Sequence, residues 1–318
     1  MGDVKIFCCN QDSPLAKGIS KHVRLPLGKI DITRFSDGEK RIQFLENIRE
    51  SDVFLIQATN QPDENLMKLL IMIDAAKRAS ASRITAVIPY YGYGRQDRKD
   101  RPRVAIVSKL VAKLIESAGA HRILAMDLHF NQLVGFFEIL VDHIYARPVL
   151  IPELEELAGK NLRVIAPDGG AAERARSYAK RLGASVVHID KRRDADGKPE
   201  VKAIVGEIGP DDTALICDDM IDSGGTLIAT VEGLQKKAGV SKFYVVATHA
   251  VLSGSAIQKI DNSPISRVYI TDTIDQDEQK FNQIQRSGKF KVVSTASLFG
   301  EAIKIYIEGG SISTLFED

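Results

Sequence analysis

Two rhythms of apolar and polar positions take turns along this chain. Short continuous apolar runs stand at residues 4–9, 53–58, 84–89 and 123–126, and again at 162–166, 185–188, 214–217, 243–247 and 267–270. Runs of this kind, apolar at most consecutive positions rather than at alternate ones, predict strands buried on both faces, as in a parallel sheet. Between them apolar residues recur at helical spacing. Leu66, Leu69, Leu70, Ile73 and Ala76 share one predicted helical face, and Val107, Leu110, Val111, Leu114 and Ile115 share another that stops at Gly119. Residues 171–182 and 227–238 give the later helices, which bury Ala175, Tyr178, Ala179 and Leu182 in one and Leu227, Val231, Leu234 and Ala238 in the other. Strands alternating with helices predict an α/β fold with parallel layers. The halves echo each other, because residues 123–127 and 215–218 both run apolar side chains into an acid. A tandem repeat of one doubly wound domain follows. Pro148 and Pro152 flank a short connection, which puts the boundary between residues 1–147 and 148–318, with the last segment packing back on the first domain.

Composition narrows the class. A chain of 318 residues can hold two domains, each with its own core. The formal net charge of +1 gives no long-range attraction to DNA or to a membrane surface, so neither is expected as a partner. The basic residues cluster locally instead, at 95–103 and 191–193, which suits a small polyanion. Cys8, Cys9 and Cys217 lie in or beside apolar runs without metal-ligand spacing and read as reduced thiols. No apolar segment approaches membrane-spanning length, and the N-terminus lacks a basic region followed by a cleavable apolar core. Met1-Gly2 is no myristoylation signal, since Ile6 stands where that motif needs Ser or Thr. A cytoplasmic protein is expected.

The candidate chemistry is concentrated after one strand. The run ending at Cys217 leads into Asp218 and Asp219, then into Asp222-Ser223-Gly224-Gly225-Thr226 and a helix. Ligands of open α/β sheets bind beyond the carboxyl ends of the strands. Gly224 and Gly225 let backbone N–H groups crowd an anion, and the helix start adds a favourable dipole. The two acids repel that anion but suit vicinal hydroxyls, which donate to carboxylates. Hydroxyls and a phosphate on one small molecule describe a ribose 5-phosphate. Paired acids at a strand end also serve as a Mg²⁺ site or a helix cap.

Other groups are more ambiguous. Arg95, Gln96 and Asp97 follow a buried strand in a glycine- and charge-rich loop that is not a P-loop; an Arg there can hold phosphate and a Gln a base edge, or the loop is simply solvated. Phe35, Asp37, Gly38 and Glu39 pair a stacking face with acceptors for an amine or a ribose hydroxyl, or form an ordinary β-turn. His129, two residues after Asp127, reads as a Mg²⁺ or phosphate contact or as a structural histidine. Asp168-Gly169-Gly170 places an acid and bare backbone at another helix start. Lys191-Arg192-Arg193 reads as a basic turn, with 194–197 as a loop beyond it.

Phe35–Glu39, Arg95–Lys99, Asp127–His129, Pro167–Gly170, Asp190–Arg193 and Asp218–Thr226 occur in the order found in ribose-phosphate pyrophosphokinases, which the chain resembles over nearly its whole length. The resemblance implies two tandem phosphoribosyltransferase-like doubly wound domains. It also implies transfer of a pyrophosphoryl group from ATP to ribose 5-phosphate with Mg²⁺, giving PRPP and AMP. By the same resemblance Phe35, Asp37, Gly38 and Glu39 meet ATP at a subunit contact, and Arg95, Gln96, Asp97 and His129 complete its site. Asp127, His129 and Asp168 belong to the metal–phosphate centre. Lys191 and Arg193 lie on a catalytic mobile loop, and Arg193, Asp218, Asp219, Asp222, Ser223, Gly224, Gly225 and Thr226 hold ribose 5-phosphate. A homohexamer is implied. Family members of the commoner class are activated by phosphate and inhibited by ADP, and Asn47-Ile48-Arg49 and Arg101-Pro102-Arg103 lie in the matching regions, which does not settle this chain's own regulation. Pro102 stands where the family pattern has a serine, which removes a hydroxyl from that region. A phosphoribosyltransferase, or a non-catalytic regulatory relative, are the competing readings. The first needs neither the 35–39 nor the 95–99 group. The second is expected to have lost Lys191–Arg193 or His129, and both are present.

Overall fold

Strands form where the apolar runs predict them, and helices fill the intervals. The computed structural model describes residues 3–159, 161–193 and 199–315, with backbone only at 192, 193 and 199. In chain order the elements are β1 (Val4–Cys8), α1 (Pro14–Val23), β2 (Ile30–Arg34), β3 (Lys40–Phe44), β4 (Asp52–Ile56), α2 (Glu64–Arg78), β5 (Arg83–Ile88), α3 (Val107–Ala118), β6 (Arg122–Met126) and β7 (Leu140–Ile144). There follow α4 (Arg147–Leu150), β8 (Leu162–Ala166), α5 (Ala172–Leu182), β9 (Ser185–Arg193), β10 (Pro199–Val205), β11 (Thr213–Ile221) and α6 (Gly225–Ala238). The chain ends through β12 (Lys242–Ala250), α7 (Ala256–Asp261), β13 (Ile265–Thr271), α8 (Glu278–Ser287), β14 (Phe290–Val293) and α9 (Ala296–Glu308). It divides into two compact units, one of residues 3–145, 273–275 and 295–315, the other of 146–272 and 276–294.

In the first unit five parallel strands lie in chain order, β1-β4-β5-β6-β7. Alternate strand residues point to opposite faces. Phe7, Leu55, Ala86 and Ile123 pack with α2 and α3 in one core. On the other face α1 and α9 approach closely at Gly18, where a Cβ would lie 2.6 Å from that of Ala296, and His22 meets Glu301 at 3.0 Å. Helix α9 is further fixed by Tyr306, which donates to Asp142 at 2.7 Å and stacks on Phe54. The hairpin β2–β3 stands as a separate two-stranded sheet, its base anchored by Phe44 on the edge of Phe7.

The helical face expected on α3 is rotated. Ser108, Val111, Ala112 and Ile115 are buried, while Leu110 and Leu114 are 52% and 41% exposed. Ser108 can face inward because its hydroxyl donates to the Gln96 carbonyl at 3.2 Å, so a polar residue takes a place that spacing alone assigns to leucine. On α2, likewise, Met72 is fully buried and Leu70 only partly.

In the second unit seven strands run β10-β9-β8-β11-β12-β13-β14, parallel except for β10 against β9. Chain order reverses between β8 and β11, because β8 is flanked by its successor on one side and by β11 on the other. Such a switch point opens a crevice beyond the strand ends. Helix α5 buries the four residues expected of it, and α6 buries Leu227, Thr230, Val231 and Leu234.

Candidate active site

The switch point of the second unit gathers one group of the predicted residues. Strand β8 pairs with β11 from Thr213↔Leu162 to Ile216↔Ile165 and ends at Ala166. Strand β11 does not stop at Cys217, as its apolar run suggested. It continues to Ile221 because β12 still pairs with it, at Asp218↔Ala247, Met220↔His249 and Ile221↔Ala250. Asp218 and Asp219 are therefore strand residues held beyond the end of β8. Asp219 is buried, and its N–H donates to the Asp218 carboxylate at 2.9 Å. Burial, followed by the nearby Asp219 and Asp168, holds the Asp218 carboxyl well above the usual carboxylate range, against a lowering pull from Arg174.

Asp168 lies exposed just after β8. Its carboxylate accepts from the Ala171 N–H at 3.1 Å, so this residue, expected at a metal–phosphate centre, caps the turn that opens α5. Gly169 and Gly170 beside it expose their backbone. Beyond β11, Asp222 accepts from the Ser253 hydroxyl at 2.5 Å, and the Ser223 carbonyl accepts from Lys259 at 2.9 Å. Gly224 has φ +74°, and α6 begins directly after it with no side-chain cap. Several first-turn N–H groups of a helix lack intrahelical partners, so an uncapped start attracts an anion. Ser223 and Thr226 are exposed at this start.

Lys191 is not on a loop. It belongs to β9, half-buried, with Val201 of β10 opposite it. Its Nζ donates to Thr230 Oγ1 at 3.0 Å and lies 3.4 Å from the Thr226 carbonyl, which docks the ammonium on the first turns of α6. Burial lowers its pKa, while Asp168 and Asp218 act to raise it. Thus Asp168, Asp218, Asp219, Lys191 and the start of α6 form one polar cluster. The Arg193 side chain and residues 194–197 lie outside the described residues.

The first unit holds the other predicted group. Phe35–Glu39 makes the tip of the β2–β3 hairpin, and it is the turn the bland reading expected: Gly38 N–H donates to the Phe35 carbonyl at 2.9 Å, and Glu39 N–H to Asp37 at 3.0 Å. The tip is exposed, Phe35 by 54%. Arg34 and Lys40 at its base both reach Glu64 of α2, at 2.8 and 3.0 Å. After β5, Arg95 and Gln96 are exposed and Asp97 is partly buried. The Gln96 carbonyl accepts from both the N–H and the hydroxyl of Ser108, which ties this loop to the start of α3. After β6, Asp127 is buried in a left-handed conformation (φ +39°), and Leu128 N–H donates to His143 Nε2 at 2.9 Å. His129 follows, edge-on to Phe130 at 4.4 Å and near the 95–97 loop, since a Cβ on Gly94 would lie 3.6 Å from its own. Among the described residues no three His, Cys, Asp or Glu side chains gather into a cage for a metal ion. Asn47 and Arg49 form a turn in which Arg49 N–H donates to the Asn47 side chain at 3.0 Å, and residues 101–103 are exposed.

Residues 4–119 match the family model of the N-terminal domain of ribose phosphate pyrophosphokinase, and residues 191–317 that of the phosphoribosyl synthetase-associated domain. The ribose-phosphate pyrophosphokinase of Chlorobaculum tepidum is 47% identical, over 99% of this chain and 95% of its own length. That of Rhizobium meliloti is 45% identical over 99% and 100%. The chain belongs to the ribose-phosphate pyrophosphokinase family. Its fold agrees with that of the family: the crystal structure of phosphoribosylpyrophosphate synthetase from Mycobacterium smegmatis superposes with a TM-score of 0.89, at 35% identity, over 97% of this chain and all of that one.

Two residues of this family member's cluster escaped sequence reasoning. Arg174, on α5, stands 4.0 Å from the Asp219 carboxylate. A base in the first turn of a helix opposes the helix dipole, and that was its available signal. Thr230 lies on the buried stripe of α6, where a hydroxyl among apolar neighbours needs a partner.

Proposed function

We propose that this protein transfers the β,γ-pyrophosphoryl group of ATP to the C1 hydroxyl of ribose 5-phosphate, giving PRPP and AMP. One observation carries the acceptor half of this reading: an uncapped, glycine-opened helix start stands one short turn from two carboxylates on β11. The helix start suits the 5-phosphate, and Asp218 and Asp219 suit the ribose hydroxyls, which donate to them. Phe35, Asp37 and Glu39 on the exposed hairpin, with Arg95, Gln96, Asp97 and His129, are the groups proposed for ATP. The C1 oxygen forms a bond to the β-phosphorus while the bond from that phosphorus to the α,β-bridging oxygen breaks, and AMP leaves. Such transfers need alignment and charge neutralisation rather than covalent help. Lys191 supplies a cation beside the acceptor loop, and Arg193 is proposed to act with it.

Asp127, His129 and Asp168 are the residues proposed to hold Mg²⁺, which would be carried largely on phosphate oxygens. It keeps much of its water and takes one or two carboxylates rather than an all-protein cage, and when bound it neutralises charge on the phosphates. Self-association is part of this proposal, with Leu110 and Leu114, exposed one turn apart on α3, as candidate contact residues. A cytoplasmic setting is supported by three cysteines outside any disulfide, with burial pushing the thiols of Cys8 and Cys9 up to about 12. No described helix is long and apolar enough to cross a membrane. The test is to incubate the protein with ATP, Mg²⁺ and ribose 5-phosphate and separate the nucleotides. AMP supports the reading. ADP points to an ordinary kinase, and unchanged ATP to a regulatory relative.

A further inference from the structure

Lys191 is held in place by a residue that the reaction itself does not call for. Thr230 is completely buried on α6, flanked on its stripe by Leu227, Val231 and Leu234. Its hydroxyl donates to the Thr226 carbonyl at 2.8 Å and accepts from Lys191 Nζ at 3.0 Å, and Nζ itself lies 3.4 Å from that same carbonyl. A hydroxyl has one proton and two lone pairs. The proton is committed to Thr226, so toward Lys191 the oxygen can only accept, and it therefore favours the ammonium over the neutral amine. The three groups close a small ring at the first turns of the helix whose start is the proposed 5-phosphate site. A lysine stem is long and flexible, and an end already fixed in place need not be ordered during the reaction.

We propose that Thr230 is a positioning residue, which fixes the charged Lys191 ammonium at the start of α6, beside the acceptor loop. It touches no substrate and acts only through Lys191. This role rests on the proposed pyrophosphoryl transfer. Among the described residues the ionisable groups that act on Lys191 are Asp168, from the turn after β8, and Asp218 of β11; α6 offers Thr226 and Thr230, and β10 places Val201 opposite. Both acids support the ammonium while burial opposes it. Removing the Thr230 acceptor leaves the acids in place and weakens the charged form further.

The test is steady-state kinetics of the full-length enzyme, read as AMP formation across pH, for Thr230→Val and Thr230→Ser. Valine keeps the shape without the hydroxyl, and serine keeps the hydroxyl. Thr230→Val is expected to lower kcat about tenfold, the scale of one hydrogen bond to a charged group, with both KM values held within about twofold. Its loss of kcat on the basic side is expected to begin about one pH unit lower, as the ammonium becomes easier to deprotonate. Thr230→Ser is expected to restore both. Thr230→Ala carries the same expectation as valine if the valine variant does not fold. A hydroxyl-free variant with wild-type or higher kcat and an unmoved basic limb overturns the proposal, as does a serine variant as impaired as valine, which would assign the effect to packing. Absence of AMP with the unaltered enzyme refutes the reaction instead, so the two failures are distinguishable.

Discussion

Asp218 is the residue at which stability and binding pull in opposite directions. Burial, then Asp219 and Asp168, hold its carboxyl well above the usual range. A carboxyl whose pKa is raised by folding adds its full stability below the ordinary value of about 4, and that contribution is lost as pH climbs through the raised value. Above that raised value the buried charge costs the free protein stability, and hydroxyls that donate to the carboxylate offset that cost. Asp218→Asn is expected to raise the stability of the substrate-free protein at neutral pH by on the order of 1 kcal/mol, as is common where a site is built for binding. The gain should shrink as pH falls toward the ordinary carboxylate range. The same variant should raise the KM for ribose 5-phosphate several-fold and leave that for ATP nearly unchanged. Thermal melts at several pH values and steady-state kinetics check both halves; a variant less stable at neutral pH, or one weakened equally for both substrates, would assign Asp218 to folding or metal instead. Local residues such as Asp218, Gly224 and Asp168 were legible because strand, acid and glycine stand together in the chain. The placement of Lys191 was not, though the residue itself stood among the candidates: what makes it a strand residue is its pairing with Val201 across the β9–β10 hairpin, and what holds it is a hydroxyl on α6.

Elements were legible where both faces are apolar. The strands facing a core on each side stand close to the expected positions, whereas β9 runs on through charged residues because β10 pairs with it. A charged hairpin arm leaves no apolar signature, and the same reason hid β2, β3 and β10. The start of α6 depends on Gly224, whose φ of +74° lies in the left-handed region. A Cβ there would meet nothing nearer than Ala256 at 3.7 Å, so the cost of a side chain is conformational rather than steric. Gly224→Ala is expected to cost about 1 kcal/mol in denaturant unfolding and to raise the KM for ribose 5-phosphate, as the loop shifts to relieve the strain. Unchanged affinity together with lost stability would mean that the loop holds its shape without contacting the phosphate.

Strand order is a property of the whole molecule, and no local pattern shows it. The repeat of apolar run and acid is present in both units, yet five strands of the first lie in chain order while the second reverses between β8 and β11. That reversal creates the crevice where Asp168, Asp218, Asp219 and Lys191 gather. The return of α9 to the first unit, pressed on α1 at Gly18, likewise depends on contacts between distant parts of the chain. What both units together are proposed to do is move two phosphoryl groups as one piece, and position-specific label follows that directly. With unlabelled ribose 5-phosphate and Mg²⁺, ATP labelled at the α-phosphate is expected to give labelled AMP and an unlabelled sugar product. ATP labelled at the γ-phosphate is expected to give unlabelled AMP and to place its label in the sugar product. Label from the α-position remaining in ADP, or γ-label appearing on the sugar while ADP accumulates, would contradict pyrophosphoryl transfer.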